Sequence, residues 1–132
     1  MRRMAYCAAL VLCSGASAFA QSVPASLDLI RTGTQVFHRW CVECHDAGSR
    51  PGTAALQRKY QGAIPAALEQ RSAAQLPDAL IRLAVRNGMS FMPFYRKTEV
   101  TDRELDALVA YLTSDGVSRA QVINQAAHQG AK

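Results

Sequence analysis

Cys41-Val42-Glu43-Cys44-His45 is the stretch whose residue types and spacing could do chemistry. Two thiols with two residues between them, and an imidazole directly after the second, form the C-x-x-C-H pattern of covalent haem attachment. The spacing has a physical reason. Both sulfurs must add to the two vinyl groups on one edge of the same porphyrin, and two intervening residues let the backbone curl so that both reach it. His45 then sits under the iron and can supply a ring nitrogen as an axial ligand. Other chemistries use the same residues. A thioredoxin-like dithiol needs a βαβ setting, and nothing around the motif reads as a strand. Zinc needs about four ligands, and besides Cys41 and Cys44 the chain downstream of residue 20 offers only His38, His45 and His128. A disulfide across the motif is open to a chain in an oxidising compartment.

Iron held by one imidazole has a second axial face. Downstream lies Val85-Arg86-Asn87-Gly88-Met89-Ser90-Phe91-Met92-Pro93-Phe94. A thioether opposite the histidine gives six-coordinate His/Met haem and raises its potential. Met92 is the candidate. Pro93 biases the residue before it toward extended backbone, which presents a side chain from a loop. Met89 is the rival, just past a helix stop at Gly88; a methionine there also serves as core filler. His38, one turn before the motif, and His128, in a polar tail, are weaker candidates.

Three helices would position these groups. Ser26 caps the first, which runs through Trp40 with Leu29, Gly33, Val36, Phe37 and Trp40 on one face. Gly33 costs such a helix about 1 kcal/mol relative to Ala, so a close backbone approach is expected there. The second runs from about Pro77 to Asn87, with Pro77 and Asp78 suiting its start, Gly88 its stop, and Leu80, Leu83 and Ala84 its face. The third runs from Thr101 to about Ser114. Thr101-x-x-Glu104 is a capping box, followed by Leu105, Leu108, Val109 and Leu112 at helical spacing. Residues 48–75 contain Pro51, Gly52, Gly62 and Pro65 and read as loop with one short helix from Pro65 to Arg71. Residues 116–132 read as a weakly patterned tail.

The chain has 132 residues, 49% hydrophobic, 7% aromatic and four cysteines. This is one domain, too short for a Rossmann or barrel enzyme. The formal charge of +5 and pI near 9.3 invite a nucleic-acid partner, until the N-terminus is considered. Met1-Arg2-Arg3, the apolar run from Met4 to Cys13 and the small residues ending in Ala18-Phe19-Ala20 are ordered like a secretory signal peptide cut before Gln21. The run is about half the roughly 20 residues a membrane span needs. Removing residues 1–20 takes Cys7, Cys13, Arg2 and Arg3 with it, which lowers the charge from +5 to +3 and leaves two of the four cysteines. The expectation is therefore an exported, periplasmic protein without a membrane span, a disulfide framework or a nucleic-acid partner. Residues 21–115 form its domain and 116–132 its tail, and a porphyrin at the centre supplies apolar area that few aromatics do not.

On these residues the chain resembles a class I c-type cytochrome with one haem. The resemblance rests on Gly33 and Phe37, the motif at 41–45, Arg86-Asn87-Gly88 before Met92-Pro93, and Tyr111 in the closing helix. It implies a small all-α fold of three main helices plus a short helix and loops around one covalent haem c. Cys41 and Cys44 would be its thioether anchors, and His45 and Met92 its iron ligands. The first and last helices would cross, with Gly33 and Phe37 against Leu108 and Tyr111. Family members usually carry a proline whose carbonyl orients the axial imidazole, and Pro51 is the candidate. The segment from Val85 through Leu112 is also similar to the cytochrome subunit of flavocytochrome dehydrogenases such as p-cresol methylhydroxylase.

The implied function is carriage of single electrons between redox partners, not catalysis. A periplasmic flavoprotein dehydrogenase is one such partner, met transiently or held as a stable complex. A labile sixth ligand would instead make a haem sensor or a peroxidase-like protein. Arg96 and Lys97 could border the haem edge. Arg50, Arg58, Lys59, Tyr60 and Trp40 are candidates for holding the propionates.

Overall fold

The computed structural model describes residues 26–48 and 50–129; the expected leader, residues 1–20, lies outside them. The described residues are helical: α1 (Leu27–Trp40), α2 (Val42–His45), α3 (Pro51–Tyr60), α4 (Asp78–Asn87), α5 (Asp102–Thr113) and α6 (Gly116–Gln129), with a 3-10 turn at Leu68–Gln70. No strand occurs among them; the one extended pairing is an isolated bridge between Met89 and Met92.

The three expected helices form with the caps read from the sequence, but α4 buries Ile81 and Val85 in place of the expected face, whose Leu83 is 52% exposed. Ser26 accepts a hydrogen bond from the Leu29 N–H at the start of α1. Pro77 precedes α4 and Gly88, with φ 73°, ends it. The Thr101–Glu104 capping box closes in both directions at the start of α5. The core sits where α1 crosses α5, around the fully buried Phe37, Ile30 and Leu108. Gly33 makes the crossing possible. A Cβ on it would lie 2.0 Å from the Ala107 carbonyl oxygen and 2.6 Å from Tyr111 Cβ, so any side chain would hold the helices apart. One turn on, the rings of Phe37 and Tyr111 pack with centroids 5.6 Å apart.

Two regions differ from expectation. The stretch read as loop contains α3, ten residues long. Its Pro51-Gly52 pair looks like a turn, but Pro51 occupies the first helical positions, where its fixed φ is pre-organised and its missing N–H costs nothing. The expected short helix at 65–71 is the single 3-10 turn Leu68–Gln70. The stretch read as a tail is helical from Gly116 to Gln129. Asp115 starts it, accepting from the Ser118 N–H at 2.8 Å and from its hydroxyl at 3.0 Å, and Val122 is buried in the core.

Candidate functional site

The motif at 41–45 is one tight helical turn. Cys41 is at once the C-cap of α1 and the N-cap of α2, and its carbonyl accepts from the N–H of Cys44 at 3.0 Å and of His45 at 2.9 Å. Residues three and four apart on a helix share a face, so Cys41, Cys44 and His45 present sulfur, sulfur and imidazole to one side. Both thiols are free. Burial, and then the neighbouring Cys44, push the Cys41 thiol up to about 12. That is the opposite of the depressed value of redox-active dithiols. Burial also lowers the His45 pKa, and the positive Arg71 lowers it further. The imidazole therefore stays neutral, with a lone pair free for a metal.

Met92 is placed by a narrow turn. It exchanges both backbone hydrogen bonds with Met89, at 2.9 and 3.2 Å. Arg86 at the end of α4 fastens the loop. Its guanidinium donates to the carbonyls of Tyr95 at 3.1 Å and Val100 at 2.8 Å and to Asp102 at 2.9 Å. The Tyr95 N–H donates to the Val85 carbonyl at 2.7 Å, and its hydroxyl reaches the Trp40 carbonyl at 3.1 Å. The methionine loop is thus tied both to α4 and to the helix carrying the thiols.

Cys41, Cys44, His45, Met89 and Met92 all line one cavity of about 410 Å³, within the size range of cofactor sites. Phe37, Leu76, Ile81, Val85, Leu108 and Leu112 complete its mainly apolar wall. The other histidines stand apart: His38 is exposed, edge-on to Phe37, and the side chain of His128 lies outside the described ones. Among the described residues no group of three or more His, Cys, Asp or Glu could hold a metal ion without further donors. Residues 28–112 match the family model described as cytochrome c oxidase, cbb3-type, subunit III.

The chain belongs to this c-type cytochrome family. It has the small all-α cytochrome c fold, and its cofactor is haem c with iron, covalently bound. A cytochrome c domain moves electrons through that haem and needs a redox partner. No curated protein and no solved structure matches the chain. Among the described residues no helix is long and apolar enough to cross a membrane.

The cytochrome cavity fits such a group in its buried polar atoms. Trp40 Nε1, His45 Nδ1 and Arg71 Nη2 are buried without a hydrogen-bond partner, and all three side chains line the cavity. Unpaired buried donors are costly. Here the indole and guanidinium suit the propionate carboxylates of a porphyrin. Arg71 is only 4% exposed. Its Nε donates to the Pro65 carbonyl at 2.7 Å, and its guanidinium lies over the Tyr60 ring, 5.0 Å from the centroid. Tyr111 on α5 donates its hydroxyl to Glu69, two residues before Arg71. Of the propionate candidates read from the sequence, Trp40, Lys59 and Tyr60 line the cavity, whereas Arg50 and Arg58 do not; Arg50 pairs with Glu43 at 3.2 Å. Lys97 pairs with Asp102 at 2.8 Å, away from the cavity wall.

Arg71 and Gly52 were not singled out from the sequence. Arg71 carries no local signal, since its burial comes from a loop folding back. Gly52 carries one in its place seven residues past His45, inside a stretch that reads as loop. A Cβ on Gly52 would lie 2.7 Å from the Cys44 carbonyl oxygen and 2.9 Å from His45 Cε1, so α3 packs its backbone flat against the imidazole. The Pro51 expectation needs correction. His45 Nδ1 has no hydrogen-bond partner, so the Pro51 carbonyl does not accept from it, because Pro51 instead begins α3.

Proposed function

We propose that this cytochrome is a periplasmic monohaem carrier of class I, taking up and passing on single electrons. Cys41 and Cys44 would hold the haem as thioethers, and His45 and Met92 would ligate its iron. Residues 1–20 are a cleaved leader, 21–115 the working domain and 116–132 an appendage. The observation that carries this reading is that one mainly apolar cavity is lined at once by both thiols, the neutral imidazole and the Met92 thioether. When bound, the group supplies one-electron chemistry at its iron, and two protein ligands leave no position for substrate. The chain's part is to exclude water with the apolar wall, to keep the His45 lone pair free by burial, and to meet the carboxylates with Trp40 and Arg71.

The test uses protein matured in an export-competent host. One haem per chain, resistant to acid–acetone extraction, is expected, with a reduced form that does not take up carbon monoxide. Ready carbon monoxide binding by the unmodified protein would favour the sensor or peroxidase-like reading and overturn the carrier.

A second reading has its own support. Leu83, Met89, Phe91 and Phe94 are large apolar side chains that remain exposed, and Met89 and Phe91 also line the cavity. Exposed apolar groups beside a functional opening suit a docked protein. This suits a cytochrome held in a stable complex; a flavin-dependent dehydrogenase is the partner proposed, and co-purification with a flavoprotein distinguishes it from the freely diffusing carrier.

A further inference from the structure

Two methionines face one cavity. Met89 and Met92 are directly opposed across the two-residue turn Ser90-Phe91, joined by both backbone hydrogen bonds. Residues opposed in this way send their side chains to the same face of the ribbon, with Cβ atoms about 4.5–5.5 Å apart. Both methionines line the cavity that Cys41, Cys44 and His45 line. They differ in their surroundings. Met92 packs against the hydrophobic core, whereas Met89 is 42% exposed.

The turn holds this arrangement firmly. Ser90 has φ 56°, a left-handed backbone that a residue with a side chain enters only at a cost. Gly88 has φ 73°, and a Cβ on it would lie 2.7 Å from the Met92 carbonyl oxygen. Arg86, on the same segment, is fixed by its three hydrogen bonds. The loop therefore pairs two thioethers side by side instead of presenting one from a flexible strand.

We propose that Met89 is a standby axial ligand, able to take the iron position that Met92 holds. This rests on the reading that Met92 is the resident ligand. The exchange breaks one iron–sulfur bond and forms another, with no proton or electron transferred. Because the two side chains leave the same face of one turn, the loop need not be rebuilt. Thioether side chains are long and unbranched and adapt to such a shift. The sixth position then stays closed to outside ligands when Met92 detaches.

The experiment compares the holoprotein with Met92→Leu, Met89→Leu and the double variant, since leucine conserves volume. Two quantities are read per covalent haem: the weak red charge-transfer band of ferric haem with a thioether ligand, and carbon monoxide uptake by the ferrous form. The expected result is that each single variant keeps the band and resists carbon monoxide, while the double variant loses the band and binds the gas. If Met92→Leu alone loses the band while Met89→Leu keeps it, Met89 is no ligand, and the Met92 reading survives without it. If Met89→Leu alone loses the band, Met92 was never resident and both readings fall. A band that survives in the double variant also overturns both. Met92→Ala repeats the readout should Met92→Leu fail to mature.

Discussion

Gly33→Ala tests the packing logic of the fold at its tightest point. The added Cβ would fall 2.0 Å from the Ala107 carbonyl oxygen and 2.6 Å from Tyr111 Cβ. The first obstacle is helix backbone, which cannot swing aside as a side-chain tip would. To restore ordinary contact, α1 and α5 must separate by roughly 1.4 Å. A gap of about 0.5–1 Å already forfeits a quarter to a half of a dispersion contact, and Ile30, Phe37 and Leu108 all sit at this crossing. Overpacking costs about 1–3 kcal/mol and at times more; with rigid backbone as the obstacle, about 3–5 kcal/mol applies. Alanine returns about 1 kcal/mol through helix propensity, leaving a net loss of about 2–4 kcal/mol. At a urea slope of about 2 kcal/mol per molar, the unfolding midpoint of the holoprotein should fall by about 1–2 M, followed by far-ultraviolet circular dichroism. Gly116→Ala is the control, because a Cβ there meets nothing within 4 Å and should be neutral or slightly stabilising. An unchanged midpoint in Gly33→Ala, with the same slope, would show that the crossing is not held at that distance.

Gly52→Ala should destabilise the holoprotein by about 1–3 kcal/mol and alter its ligand-field spectrum, since the methyl meets the His45 ring; an unchanged spectrum and midpoint would count against the packing of α3 on the imidazole. Arg71→Met should lower the reduction potential, because a buried cation beside the haem disfavours the ferric state, and should cost about 1.5–3 kcal/mol of charge-assisted hydrogen bonding. Potentiometric titration with no downward shift would refute the placement. Thr101→Ala removes a helix cap and should cost about 0.5–2 kcal/mol near neutral pH by thermal unfolding. Hydrogen bonds from the Thr101 backbone and hydroxyl hold Glu104 below its ordinary value of 4.5. A depressed carboxylate contributes stability above that value and loses it as pH falls through the folded pKa, so acidification should weaken the protein and Glu104→Gln should flatten that limb; equal acid profiles would exclude the contribution.

Much of this was legible because the informative residues act locally. Ser26, Pro77, Gly88 and the Thr101–Glu104 pair cap helices through contacts within one turn, so spacing alone locates α1, α4 and α5. Gly33 was legible as an anomaly, an unfavourable residue in an otherwise regular apolar face, though its partner Ala107 was not. The helix α3 stayed hidden because Pro51-Gly52 has two physical meanings, a turn or a helix start. Only the packing of Gly52 on His45 selects between them. The α6 cap at Asp115 was readable, but a single buried apolar residue, Val122, gives no stripe to detect. Arg71 illustrates the limit most clearly. An arginine in a Pro- and Gly-rich stretch reads as surface, and its burial against Tyr60 arises only when the loop after α3 folds back on itself.

The crossing of α1 on α5 also orders events in time. Its two halves stand near opposite ends of the family-matched stretch, so the contact at Gly33 closes most of the domain into one loop. A nascent chain therefore exposes Cys41 long before the helix that completes the core exists. In that open interval nothing buries the thiol, and its acidity is that of an ordinary cysteine. In the folded chain without its haem, burial raises the pKa of the Cys41 thiol. The bond between Cys41 and its haem is thus made most readily in a chain whose ends have not yet met.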